Sequence, residues 1–227
     1  PPDLPSLDAP QLLEAGSVAP VLPLLRSLAR LRELPHVDAG FVDDVEALVR
    51  DLAPAILPFD DRRLVHGDLT FENVLWDHDH ISALLDFEWS RGAPPDVDLD
   101  VLLRMCAFPF LHVAADYEAQ TRTVDYAEVP GWLAEDLPAL FAAPQLRDRL
   151  VLYAIAYDVR ELLAHPPQSS PRSLSRYHPL HRLQNTLHGS GHLDHMAAVT
   201  DPARYARSFS SPFSRPFSRS FSRSGHA

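Results

Sequence analysis

Residues 64–88, reading L-V-H-G-D-L-T-F-E-N-V-L-W-D-H-D-H-I-S-A-L-L-D-F-E, constrain the fold more than any other part of the chain. Three apolar runs, Leu64-Val65, Val74-Leu75-Trp76 and Ile81 to Leu85, are too short for helices and are separated by polar residues, so they predict strands. Asp77-His78-Asp79-His80 predicts the turn that joins the second and third runs as a hairpin. An acceptor side chain stands at an end of each run: Asp68 after the first, Asn73 before the second and Asp86 after the third.

Oxygen-bearing side chains in that arrangement suit phosphoryl transfer, where the protein mainly positions the reactants and stabilises charge. Mg2+ takes oxygen ligands and commonly accepts only one or two from the protein, so Asn73 and Asp86 suffice. Asp68 then accepts the proton of an attacking alcohol, and a nearby cation keeps it ionised.

The pattern His66-x-Asp68-x-x-x-x-Asn73, followed by Asp86-Phe87, resembles the catalytic loop and metal-binding triplet of the protein-kinase-like fold. With Gly67 and Glu88 it is similar to the aminoglycoside phosphotransferase branch, which includes choline kinase-like and macrolide kinase enzymes. The resemblance implies Asp68 as catalytic base, Asn73 and Asp86 as Mg2+ ligands, ATP as phosphate donor and His66 as a structural residue of the loop. Asp98, in Pro95-Asp96-Val97-Asp98-Leu99, resembles the helix-capping aspartate that braces this loop from below.

Composition narrows the remaining classes. All twenty cations are arginine, and five of them lie beyond residue 200 with one acid; the first 200 residues therefore hold fifteen cations against thirty carboxylates, a net −15 within the chain's −11. Such a body repels nucleic acid and leans towards a cationic, amine-bearing acceptor. Asp116, Glu118, Asp125 and Glu128 could line a pocket for it, but no spacing singles them out and a solvated surface is the favoured reading. No apolar run is long enough to span a bilayer and the start does not read as a signal peptide, so a cytoplasmic location and no membrane partner are expected. The single cysteine, Cys106, lies in the apolar run Leu102-Leu103-Arg104-Met105 and reads as a buried core thiol.

In chain order, residues 1–9 read as a linker or cut end, and Asp8-Ala9-Pro10 to Gly16 as a short helix. Apolar spacing over 21–31 and 41–52 predicts two amphipathic helices. Trp89 to Pro95 reads as a loop, Asp98 as the cap of a helix through Met105, 132–141 as one helix, and 145–164 as a longer helix buried at the centre. Asp158 and Glu161 are placed to reach the pocket-facing end of that helix. His178, His181, His188, His192 and His195 include helix-like spacings that zinc could use, but Gly189 and Gly191 interrupt them. Residues 201–227, with their S-F-S-R and P-F-S-R repeats, read as a disordered tail.

The resulting fold class is α+β, mainly helical: the C-terminal lobe of a protein-kinase-like fold over residues 10–200, with a small β-hairpin carrying the catalytic and metal-binding loops. The implied reaction moves the γ-phosphate of ATP to a hydroxyl of a small molecule. No lysine and no strand-led glycine loop occur in the chain, so the nucleotide lobe is expected to be missing, the isolated chain is expected to bind ATP poorly, and an apolar surface is expected to be exposed where that lobe would sit. Two rivals stand beside this reading: an inactive remnant serving as a binding module, and a nucleic-acid binder acting through the Arg-Phe-Ser tail.

Overall fold

The protein is described here from a computed structural model, over Leu13 and residues 20–56 and 63–206. The short helix anticipated near residues 8–16, apart from the buried Leu13, and the repeats beyond residue 206 lie outside the described residues. Two helices open the body: α1 (Leu22–Leu31), with a proline in its first turn, and α2 (Ala39–Leu52), capped by Asp38, whose side chain accepts from Phe41 N at 2.8 Å. Arg32 ties them together by reaching Asp43 at 2.5 Å and Glu46 at 2.6 Å.

Four short strands follow in two separate antiparallel pairs. In the first, β1 (Arg63–Val65) pairs with β4 (Arg91–Ala93) in the register Arg63↔Ala93 to Val65↔Arg91. The second pair is the anticipated hairpin, β2 (Val74–Asp77) and β3 (His80–Leu84), with a bulge between Leu75 and Trp76. Its tight turn places His78 at a φ of 60°. Strand β4 corrects the loop expected over 89–95: nothing in Arg-Gly-Ala favours a strand, and its pairing comes from the chain returning beside β1. The hairpin is open to solvent, with Trp76 55 % and Ile81 54 % exposed, and Leu64 of β1 is 79 % exposed.

The rest is helical. Helix α3 (Asp96–Ala107) runs from β4, and after a less regular stretch containing α4 (Ala115–Glu118) come α5 (Val129–Asp136) and α6 (Pro138–Phe141). The single helix expected over 132–141 is thus two. Pro138 has no amide hydrogen and disfavours the helical region for Leu137, which sits at φ −121°, ψ 50°. Helix α7 (Leu146–Ala164) is central, packing against α1, α2, α3 and α8 (Pro179–Leu187), with Leu150, Leu152, Ile155, Val159 and Leu162 fully buried. Its all-round apolar sequence follows from being enclosed on every side. Two short helices, α9 (Ala197–Thr200) and α10 (Ala203–Ala206), close the described chain. Tyr205 packs over Gly131 of α5, which carries the body past the boundary expected at residue 200. No helix among the described residues is long and apolar enough to cross a membrane.

Candidate functional site

The loop 66–73 is held from three directions. From below, the half-buried Asp98 carboxylate accepts the backbone amides of His66 (Oδ2, 2.9 Å) and Gly67 (Oδ1, 2.8 Å). Asp98 is not the cap of α3, as anticipated; Pro95 occupies that position, and Asp98 lies within the first turn with its side chain turned to the loop. From the side, His66 is buried, its Nε2 within 2.7 Å of the Leu85 carbonyl and its ring 4.8 Å from that of Phe87. The imidazole therefore joins the loop to the end of β3, where Asp86 sits. From within, the Asn73 side-chain amide donates to the Asp68 carbonyl at 2.9 Å, and Thr70 N donates to the same carbonyl at 2.9 Å.

Gly67 is required by this arrangement. Its φ of +85° lies in the left-handed region, and a Cβ there would stand 2.4 Å from the Trp89 carbonyl oxygen, a backbone atom that cannot swing away. The close approach lets the loop cross next to the segment that enters β4. Asp86 is left-handed too, at φ 59°, ψ 64°, a conformation that aspartate tolerates better than most residues, and the chain turns there into the single 3-10 turn Phe87–Trp89. Glu88, on that turn, is exposed.

The site is anchored to the core through residues that sequence reasoning passed over. Asp96, fully buried two positions before Asp98, receives Arg149 Nε of α7 at 2.5 Å and Tyr153 OH at 3.1 Å. Arg149 also donates to the Pro144 carbonyl at 2.5 Å. These bonds pin the first turn of α3 to the central helix and so fix where Asp98 meets the loop. The only sequence signal for this was the pairing of acids in Asp-Val-Asp. Phe71 extends the frame on the other side, donating its amide to Met105 Sδ at 3.2 Å and stacking on Tyr126 at 5.9 Å.

The donor set left over suits a hard cation. Asn73 commits its amide nitrogen to Asp68 O, which leaves its Oδ1 as the remaining acceptor, and the carboxylates of Asp68 and Asp86 make no hydrogen bond or ion pair with described residues. Among the described residues no group of three or more His, Cys, Asp or Glu side chains forms a metal site. A divalent ion held by Asn73 and Asp86 would thus take two oxygen ligands from the chain and the others from phosphate and water, the habit of Mg2+. Of the histidines of 178–195, His178 Nδ1 accepts from Leu180 N at 3.2 Å, His181 Nδ1 lies 2.9 Å from the Ser175 carbonyl, and His192 packs edge-on against Phe108.

Beyond Phe71 a cavity of about 710 Å³ opens between α3, α5, α8 and the last helices, with Tyr126, Phe108, Tyr177 and Arg182 in its wall. Cys106 also borders it, and burial pushes its thiol up to about 12, in keeping with a core thiol. The acids proposed for such a pocket are elsewhere. Asp116, Glu118, Asp125 and Glu128 are all exposed and outside the wall, and Asp125 pairs with Arg122 at 2.7 Å. Asp158 does reach this end of α7, but buried and bound to Arg182 Nε at 2.8 Å.

The helical body with its small antiparallel sheets is an α+β arrangement, compatible with a kinase-like fold. A family model described as the phosphotransferase enzyme family, APH, matches residues 3–132, more than half of the chain, and the protein belongs to that family. The match reaches into the segment read as a linker and ends within α5, short of the central helix. Neither the curated proteins nor the solved structures hold a match to this chain.

Proposed function

We propose that this chain carries the catalytic and metal-binding groups of an ATP-dependent phosphotransferase that phosphorylates a hydroxyl of a small molecule. The observation that carries the reading is the bracing of one loop by Asp98, His66 and Asn73, which leaves Asp68, Asp86 and the Asn73 oxygen as unspent acceptors within a single framework. Asp68 takes the proton of the acceptor hydroxyl as its oxygen bonds to the γ-phosphorus and the bond from that phosphorus to the ADP oxygen breaks. Asn73 and Asp86 hold Mg2+, which when bound neutralises charge on the phosphates. His66 and Asp98 keep the loop in position and touch neither reactant. The match to the phosphotransferase family over the whole of this region supports the assignment.

Transfer of radiolabelled γ-phosphate from millimolar ATP to a panel of small alcohols tests it. Asp68→Asn should keep the fold and lower turnover by about 100-fold to 10,000-fold, the usual contribution of a general base. Turnover near the unsubstituted level would remove Asp68 from the role. A second reading, a binding module without turnover, is favoured by the absence of lysine from the sequence and by the position of the only G-x-G, Gly189-Ser190-Gly191. That tripeptide follows α8 and leads into a 3-10 turn, with Ser190 and Gly191 in the cavity wall and no strand before it. Complete absence of Mg2+-dependent transfer at any ATP concentration, from a folded chain, would decide for it.

A further inference from the structure

Among the described residues, no aspartate or glutamate stands in the wall of the 710 Å³ cavity, although the chain carries 31 acids and a net charge of −11. Its polar members are arginines, histidines and neutral groups: Arg176, Arg182, His192, His195, Asn185 and Ser190. Arg182 is occupied, bound to Asp158 and donating Nη1 to the Tyr177 carbonyl at 2.8 Å. Arg176 is not neutralised in this way. Among the described residues it pairs with no carboxylate, its guanidinium donating only to the Tyr177 hydroxyl and lying 4.5 Å from that ring.

The charge behind the wall is neutralised. Arg104 stands behind the wall with its guanidinium 3.8 Å from the Tyr157 ring, paired with the buried Asp100. His192, whose Nε2 is buried without a partner, is held down to about 3, first by burial and then by Arg104 and Arg182. The rest of the wall sets four aromatic rings, those of Phe108, Tyr126, Tyr177 and Tyr205, among small and aliphatic residues such as Ala107, Pro130 and Met196. The cavity also adjoins the loop: Tyr126 stacks on Phe71, three residues past Asp68.

We infer that this cavity is the acceptor pocket and that its acceptor is an anionic, aromatic hydroxy compound, whose carboxylate or like group meets Arg176, and not the amine suggested by net charge. The inference rests on the phosphotransferase reading of the Asp68 loop. At about 700 Å³ the space is in the usual range for a small-molecule site. The local sign outweighs the global one because a charge in contact is felt far more strongly than charges beyond a screening length of about 8 Å.

The test compares mandelate with 2-amino-1-phenylethanol, which share a benzylic hydroxyl and differ in carboxylate against ammonium. Each is titrated calorimetrically into the full chain without ATP. Mandelate should bind at least about tenfold more tightly, the effect of one charge-assisted hydrogen bond or more. Arg176→Ala, an exposed position, should reduce that affinity about tenfold and leave the amine unchanged, while Arg176→Lys keeps most of it. Equal or tighter binding of the amine, binding of neither, or an unchanged mandelate affinity in folded Arg176→Ala overturns the inference; should that variant not fold, the ratio on the natural chain decides. Because the binding ratio is read without ATP, its failure overturns the pocket assignment alone, while the phosphotransferase reading fails or stands on the radiolabel assay over the whole panel of alcohols.

Discussion

Replacing Asp98 tests whether the loop is built or merely sits where it is. The carboxylate accepts two backbone amides, at 2.9 and 2.8 Å, from consecutive residues that have no other place to donate in the described structure. Hydrogen bonds to a charged group contribute about 1.5–3 kcal/mol each, and Asp98 is only half-buried, so the lower figure applies and Asp98→Ala should cost about 3 kcal/mol. For a chain of this size that lowers Tm by about 6–12 °C. Asp98→Asn is the sharper variant, since it preserves volume and keeps one acceptor oxygen but turns an NH2 group towards the other amide. It should lose at least half as much stability and, by releasing Gly67 from its position beside Trp89, lower turnover by more than its Tm shift explains. Far-UV circular dichroism melts with phosphate-transfer assays on the same preparations give both numbers. An Asp98→Asn protein that melts within about 1 °C of the natural chain and turns over at its rate would show that the two hydrogen bonds do not hold the loop.

Gly67→Ala should destabilise the protein and abolish transfer, because the new Cβ collides with a backbone oxygen at positive φ, whereas Gly92→Ala, with nothing within 4 Å, should do neither; equal effects of the two would refute the steric argument. Stability should fall with acid. His192 and His112 are held down to about 3 and about 4 by burial and then by Arg104, so both gain protons on unfolding below pH 6.5, while Asp158, pushed up to about 6 by burial, opposes them by gaining its proton in the folded state first. Asp100, also pushed up by burial, acts like Asp158, whereas His178, lowered by burial, and Glu46, lowered by its bond to Arg32, act with the other two histidines. The groups that weaken the fold in acid outnumber those that strengthen it, at about 1.4 kcal/mol per pH unit for each net proton, and a flat or rising stability in urea titrations between about pH 6 and 4 would contradict this. Truncation after Tyr205 should leave Tm unchanged, but truncation before Asp201 should lower it, since Tyr205 packs over Gly131 and borders the cavity; identical melts for both would show that this contact contributes nothing.

What could be read from the sequence follows from how far apart the cooperating residues are. The hairpin, α1, α2 and α7 were legible because each is specified by its own periodicity and turn residues, over distances that a local pattern covers. Asp68, Asn73 and Asp86 could be singled out because the chemistry dictates their types and spacing within one stretch. The frame around them could not. The pairing of β4 with β1, the bond from His66 to Leu85 and the hold of Arg149 on Asp96 join positions 19 to 53 residues apart, and no local preference encodes them. The same limit explains why net charge and the proposed pocket point to acceptors of opposite sign. Net charge is a sum over the chain, but a ligand meets only the few side chains that tertiary structure gathers at one wall, and here the acids of 116–128 stay in solvent while Arg176 is brought to the wall by the segment between α7 and α8. Buried pairing completes the effect: Asp158 and Asp100 are spent on Arg182 and Arg104, so the charge left in the wall of the proposed pocket is that of Arg176, which pairs with no carboxylate among the described residues.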